Sequence, residues 1–216
     1  MTLGIDEPDA RGRTGLHLTG LELDGNPDVR VRAVTLLASN WHVLRTTELD
    51  YRLPNGTWTT QQRETYDRGN GATVLLYDPS RRTVLLTRQF RYTAYVNGHP
   101  DGMLLEAAAG LLDDDDPESA IRRETAEETG VEIGEVFHVL DAYMSPGSVT
   151  EKLHFFAAPY SGPPSTTRAG LAEEGEYIEV VEYGIDEATA AIGSEIIDAK
   201  TILLLQWAVL SGPFRG

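Results

Sequence analysis

Leu105–Val131 reads LEAAAGLLDDDDPESAIRRETAEETGV, and the fold is read outward from this stretch. Asp116 has the short acceptor side chain of a helix N-cap. Pro117 suits the first helical position and Gly130 the left-handed stop, so the spacing predicts a helix over Pro117–Thr129. Glu124, Glu127 and Glu128 stand at i, i+3 and i+4, which puts three carboxylates on one face. Like charges so spaced cost a helix roughly 0.2–0.5 kcal/mol per pair. Two readings offset that cost. One is a solvated acidic face partly neutralised by Arg122 and Arg123. The other is an oxygen-ligand platform for Mg²⁺, a hard cation held by a few carboxylates, waters and substrate phosphates.

Around this helix the chain reads as mixed strands and helices. Strands are expected at His42–Leu53 and Thr57–Tyr66 across a Pro54-Asn55-Gly56 turn, then at Thr73–Tyr77 and Thr83–Arg88. Met103–Ala109, Val136–Tyr143, Leu153–Ala158 and Tyr177–Val181 read as further strands, and Ile185–Ile192 and Lys200–Leu210 as helices. The pattern implies an α/β (α+β) fold, a three-layer α/β/α sandwich with a mixed sheet preceded by an antiparallel β segment.

The 216 residues carry 34 acidic and 18 basic side chains, a formal net charge of −16. Such a balance argues against nucleic acid or an anionic membrane as partner. With no cysteine, disulfide scaffolds, thiolate metal sites and thiol nucleophiles are excluded. No GxSxG elbow occurs, and His17, His42, His99, His138 and His154 show no HExxH-type spacing, so each reads as a structural or surface histidine. The first 30 residues hold no signal-like apolar run and no segment is long enough to span a membrane, so a cytoplasmic protein is expected. The acidity is local. Asp113–Glu128 holds eight acids and two arginines, and Glu173–Glu187 seven acids and no base.

The central stretch resembles the signature of the Nudix hydrolases, G-x5-E-x7-R-E-U-x-E-E-x-G-U with U aliphatic. Arg123-Glu124, Glu127-Glu128 and Gly130-Val131 match, while the segment after Gly110 is one residue short and Thr125 stands at an aliphatic position. The shortened loop resembles the branch of that family that hydrolyses GDP-mannose. So do Tyr66–Ala72 (YDRGNGA), Arg88–Arg91 (RQFR), Val96-Asn97-Gly98, Tyr143–Gly147 (YMSPG), His154-Phe155-Phe156 and Lys200–Leu205. The likeness covers about Trp41–Leu210.

The resemblance implies three parts: an extension over residues 1–40, a β-hairpin segment over 41–68 exchanged between subunits of a homodimer, and a Nudix domain over 69–216. It implies two or three Mg²⁺ ions, with Mn²⁺ as the substitute, held by Glu124, Glu128, the Ala109 carbonyl and Glu176. Glu127 is a further ligand, Arg123 orients the carboxylates, and Glu174 is the candidate base. Trp41, Gln62, Arg63, Glu64, Arg91, Glu151, Gly175 and Lys200 are the implied substrate contacts, with Gln62-Arg63-Glu64 serving the partner subunit's site. The expected reaction is hydrolysis of a nucleoside diphosphate sugar, GDP-mannose favoured, to a nucleoside monophosphate and a sugar 1-phosphate. The alternatives are an ADP-ribose pyrophosphatase giving AMP and ribose 5-phosphate, and a nucleotide-sugar sensor without turnover.

Overall fold

The computed structural model describes residues 25–40, 42–112, 115–162, 168–169 and 177–215. Trp41, Glu174, Gly175 and Glu176 lie outside them. The chain divides into two compact units, one taking in the described residues up to Asn70 with Tyr143–Lys152, the other Gly71–Ala142 with Leu153–Gly216.

The first unit is an antiparallel sheet of β1 (Val29–Ser39), β2 (Val43–Arg52) and β3 (Trp58–Asp67) in the order β1-β2-β3. Pro54-Asn55-Gly56 forms the expected turn. The Gly56 N–H bonds the Leu53 carbonyl at 2.8 Å, and φ at Gly56 is 85°, a value that favours glycine. In this small unit Arg45 and Asp67 are both buried and pair at 3.2 Å. The backbone of Tyr66 pairs with Ser148 and Thr150 on either side of Val149, which ties the 143–152 segment to β3.

The second unit is a mixed sheet of β4 (Gly71–Asp78), β5 (Thr83–Phe90), β6 (Met103–Glu106), β7 (Ala108–Leu111), β8 (Phe137–Tyr143), β9 (Lys152–Pro159), β10 (Arg168–Ala169) and β11 (Ile178–Gly184). The path runs β10-β11-β5-β4-β9-β8, with β6 on β5 and β7 on β4. β4 is parallel to β9 and antiparallel to β5, which makes the sheet mixed. β4 is buried at nearly every position, as expected of a strand covered on both faces. Its side chains alternate. Ala72, Val74 and Leu76 join a core cluster with Ile121 of α2 (Pro117–Thr129). Tyr77 faces the other way, where its ring meets Phe214 just after α4 (Ala199–Leu210). α2 and α4 both pack on β4. The α/β/α layering is therefore that expected from the sequence. α3 (Ile185–Ala190) leads from β11 towards α4. Among the described residues no helix is long and apolar enough to cross a membrane.

Two differences from the sequence reading matter. The single strand expected over Met103–Ala109 is two, because Ala107 leaves the ladder and its N–H bonds the Thr201 hydroxyl at 2.7 Å. The chain thereby switches from β5 to β4 as its partner. A short helix, α1 (Tyr92–Val96), follows Arg91 where no element was expected.

Candidate active site

α2 has the ends its sequence implies. The Asp116 carboxylate accepts from the N–H groups of Glu118 and Ser119 at 3.1 Å each, and Gly130 closes the helix at φ 68°. Arg122 is turned away from the carboxylates. It pairs with Glu118 at 2.6 Å and donates to the carbonyls of Ile133 and Gly134, securing the chain beyond the helix. Arg123 bridges the acidic face, reaching Glu124 at 2.7 Å, Glu127 at 3.6 Å and Asp115 at 3.5 Å.

The three glutamates differ in burial. Glu127 is about a third exposed and Glu124 half as much (side-chain values of 35% and 17%). Glu128 lies on the buried stripe with Ile121 and Thr125, only 7% exposed. An isolated carboxylate is not placed there for solvation. Burial pushes Glu128 up to about 8, and the like charges of Glu124 and Glu106 add to this. The Ala109 N–H, donating to Glu128 Oε2 at 3.2 Å, and the charge of Arg91 oppose it. Thr125 fills its buried, normally aliphatic position by donating its hydroxyl back to the Ile121 carbonyl at 2.6 Å.

Gly110 sits directly beneath this face. A Cβ there would fall 2.0 Å from Cδ of Glu124, so the space of that methyl belongs to the carboxylate. Gly110→Ala should therefore leave folding nearly intact, because the obstacle is a movable side chain. It should displace Glu124 and lower kcat roughly 10–100-fold. Matched melting curves with reduced turnover are the expected result; unchanged turnover would mean that Glu124 has no fixed place in the chemistry.

A second cluster adjoins the first. Glu106, 3% exposed at the end of β6, accepts from Arg91 Nε at 2.6 Å and from Lys200 Nζ at 2.5 Å. Lys200 also meets Asp198 at 2.9 Å, and Asp198 caps α4 through the Thr201 N–H at 3.0 Å. Burial disfavours the charges on Arg91 and Lys200, but the surrounding carboxylates, Glu106 foremost with Asp198, together outweigh it, and both are held above their ordinary values. Since Arg91 and Glu106 also act on the Glu128 carboxyl, the two clusters form one electrostatic site.

The structure thus brings together Arg91, Ala109, Arg123, Glu124, Glu127, Glu128 and Lys200. Gln62, Arg63 and Glu64 are exposed on β3, and Glu151 pairs with Arg68 at 3.5 Å; all four lie in the first unit. Glu106 and Asp198 were missed by the sequence reading. The signal for Glu106 was one acid inside the apolar run Met103–Ala109. The donor set on α2 is all oxygen, one member is buried, and a glycine clears room for another. These residues fit a hard divalent cation.

The fold and this site define a class. The Nudix domain model matches residues 67–205, and the chain belongs to the Nudix hydrolase family, an enzyme family that generally uses divalent metal ions. A second model, the GDP-mannose pyrophosphatase NudK N-terminal domain, matches residues 28–66. Among similar proteins, the GDP-mannose pyrophosphatase of Yersinia enterocolitica is 53% identical over 82% of this chain and 93% of its own. That of Pectobacterium atrosepticum is 52% identical, over 83% and 93%. The Klebsiella pneumoniae protein of the same name is 48% identical, over 84% and 91%.

Proposed function

We propose that the chain is a Mg²⁺-dependent pyrophosphatase that hydrolyses GDP-mannose to GMP and mannose 1-phosphate. The observation that carries this reading is the buried Glu128 carboxyl beside Glu124 and Glu127, in a chain about half identical to enzymes named for that substrate. Water adds across the P–O–P bridge, one phosphorus gaining the oxygen while the bridging oxygen leaves with the other. Glu124, Glu128 and the Ala109 carbonyl would hold the ions, with Glu127 as a further ligand. Bound divalent cations supply charge neutralisation at the diphosphate and an activated water.

The chain's own residues do the rest. Arg123 holds Glu124 and Glu127 in register by charge-assisted contacts. Arg91 and Lys200 present cationic groups, pre-positioned by Glu106, to the negative substrate. By resemblance, Glu176 adds a metal ligand, Glu174 takes the water proton, Gly175 and Glu151 contact the substrate, and Trp41 stacks on the base. Gln62, Arg63 and Glu64 serve the other subunit's site in a homodimer. Their exposure on β3 supports that assignment. Full activity of a monomer in sedimentation-matched dilutions would refute it.

The deciding experiment offers GDP-mannose, ADP-ribose, UDP-glucose and ADP-glucose with Mg²⁺, products being identified by chromatography. GMP and mannose 1-phosphate should form fastest. Preferential release of AMP and ribose 5-phosphate would make it an ADP-ribose enzyme, and tight binding without turnover a sensor.

A further inference from the structure

At the end strand of the mixed sheet, His138 and Asp141 of β8 meet His154 of β9. His138 Nε2 and His154 Nδ1 each lie 2.8 Å from the same oxygen, Asp141 Oδ1. The three ligand atoms all fall within 4.8 Å of one another. We propose that His138, Asp141 and His154 form a second metal site, one for a transition-metal cation such as Zn²⁺, separate from the carboxylate site on α2.

The donor chemistry supports this. Two imidazole nitrogens and one carboxylate oxygen make a borderline set, which favours Zn²⁺, Ni²⁺ or Cu²⁺ over Mg²⁺. The α2 carboxylates have the reverse preference. The spacing fits as well. With metal–ligand bonds of about 2.0–2.2 Å, tetrahedral ligands stand about 3.3–3.6 Å apart, so each 2.8 Å contact would open by about 0.5–0.8 Å and the two imidazole nitrogens, within 4.8 Å of each other, would settle to the same separation.

The rings are already held. His138 packs edge-on against Phe156, with centroids 5.5 Å apart, and His154 lies in a strand paired with β4. His138 remains more than half exposed, which leaves the remaining coordination positions to water. A bound ion would clip β8 to β9, and the sheet edge would gain stability by linkage.

The nearest competing account is a pair of imidazole–carboxylate hydrogen bonds and nothing more. It differs measurably from a metal site. Untagged protein carrying Glu128→Gln, which weakens the α2 site, is stripped with a chelator and titrated with Zn²⁺ against a chromophoric competitor. One equivalent should bind, with a Kd of micromolar or below. His138→Ala in the same background should weaken it more than tenfold, as should Asp141→Asn. In otherwise unaltered protein, His138→Ala should leave Mg²⁺-dependent hydrolysis unchanged, since the residue has no part in that site.

Imidazole ¹⁵N resonances provide a readout that needs no loss-of-ligand variant: those of His138 and His154 should shift together at one equivalent of Zn²⁺. Absence of binding, or equal affinity after His138→Ala, would overturn the proposal. So would a Zn²⁺ titration in which neither imidazole moves.

Discussion

Glu128→Gln should reduce hydrolysis more than about 100-fold and, in the same protein, raise the melting temperature of the metal-free fold. The two effects have one origin. Glu128 shares the buried stripe of α2 with Ile121 and Thr125, where an ionised carboxyl loses its hydration and, among the described residues, forms no ion pair. Its position near 8, raised from an ordinary 4.5 mainly by burial, expresses that cost. A folded-state value above the unfolded one means that the folded chain keeps a proton the unfolded chain has released. The contribution of Glu128 to metal-free stability is therefore full below about pH 4.5 and declines as pH rises towards 8.

At pH 7 the difference is about 3 kcal/mol at most, or roughly 6–12 °C in Tm for a chain of this size. Glutamine can still accept from the Ala109 N–H but has no charge to desolvate. Melting in a chelator at pH 6 and pH 8 tests this. The wild type should lose Tm over that interval, while Glu128→Gln loses less and melts higher at pH 8. A variant that melts lower at both pH values, or retains wild-type turnover, would show that Glu128 is an ordinary packed residue. A site that is costly until it is filled is what the proposed ligation by a buried helix face entails.

How far such a site can be read from the sequence depends on the range of the interactions that build it. The limits of α2 follow from Asp116, Pro117 and Gly130, all local signals, and the structure has the helix over the expected span. The shared face of the three glutamates is equally local, a matter of spacing. Their unequal burial is not, because it depends on which stripe of α2 meets β4 and β7. Nor was the break at Ala107 legible, since it comes from a threonine 94 positions later. The same is true of Glu106, whose cationic partners arrive from α1's approach and from α4. His138 and His154 looked like separate surface residues because only the neighbouring of β8 and β9 brings them together. Gly110 is an intermediate case. Its place beside the signature was legible, but its purpose, room for Glu124, needs the third dimension.

Glu106 offers the sharpest test of how the cationic side of the site is held. Its two oxygens divide their work, Oε2 accepting from Arg91 and Oε1 from Lys200, at a side chain only 4% exposed. Glu106→Ala removes the negative charge and leaves the Lys200 ammonium, itself 12% exposed, with Asp198 as its one remaining ion-pair partner among the described residues. Removing one partner of a buried pair costs about 3–5 kcal/mol, far more than the pair contributes against an apolar replacement. Arg91 is more exposed, so its share of that loss is screened. If the penalty comes from the stranded lysine, Lys200→Met should relieve it. The double variant Glu106→Ala/Lys200→Met should then be more stable than Glu106→Ala by about 1–3 kcal/mol, a coupling seen only between residues in contact. Activity should not recover with stability. Arg91 would still lack the carboxylate that aims it, so KM for the nucleotide sugar should stay raised while kcat changes less. Urea unfolding and steady-state kinetics on the four proteins of the cycle separate these outcomes. Additive stabilities would mean that Glu106 and Lys200 are merely neighbours. Recovery of KM in the double variant would mean that substrate binding needs neither the Lys200 ammonium nor the aiming of Arg91 by Glu106.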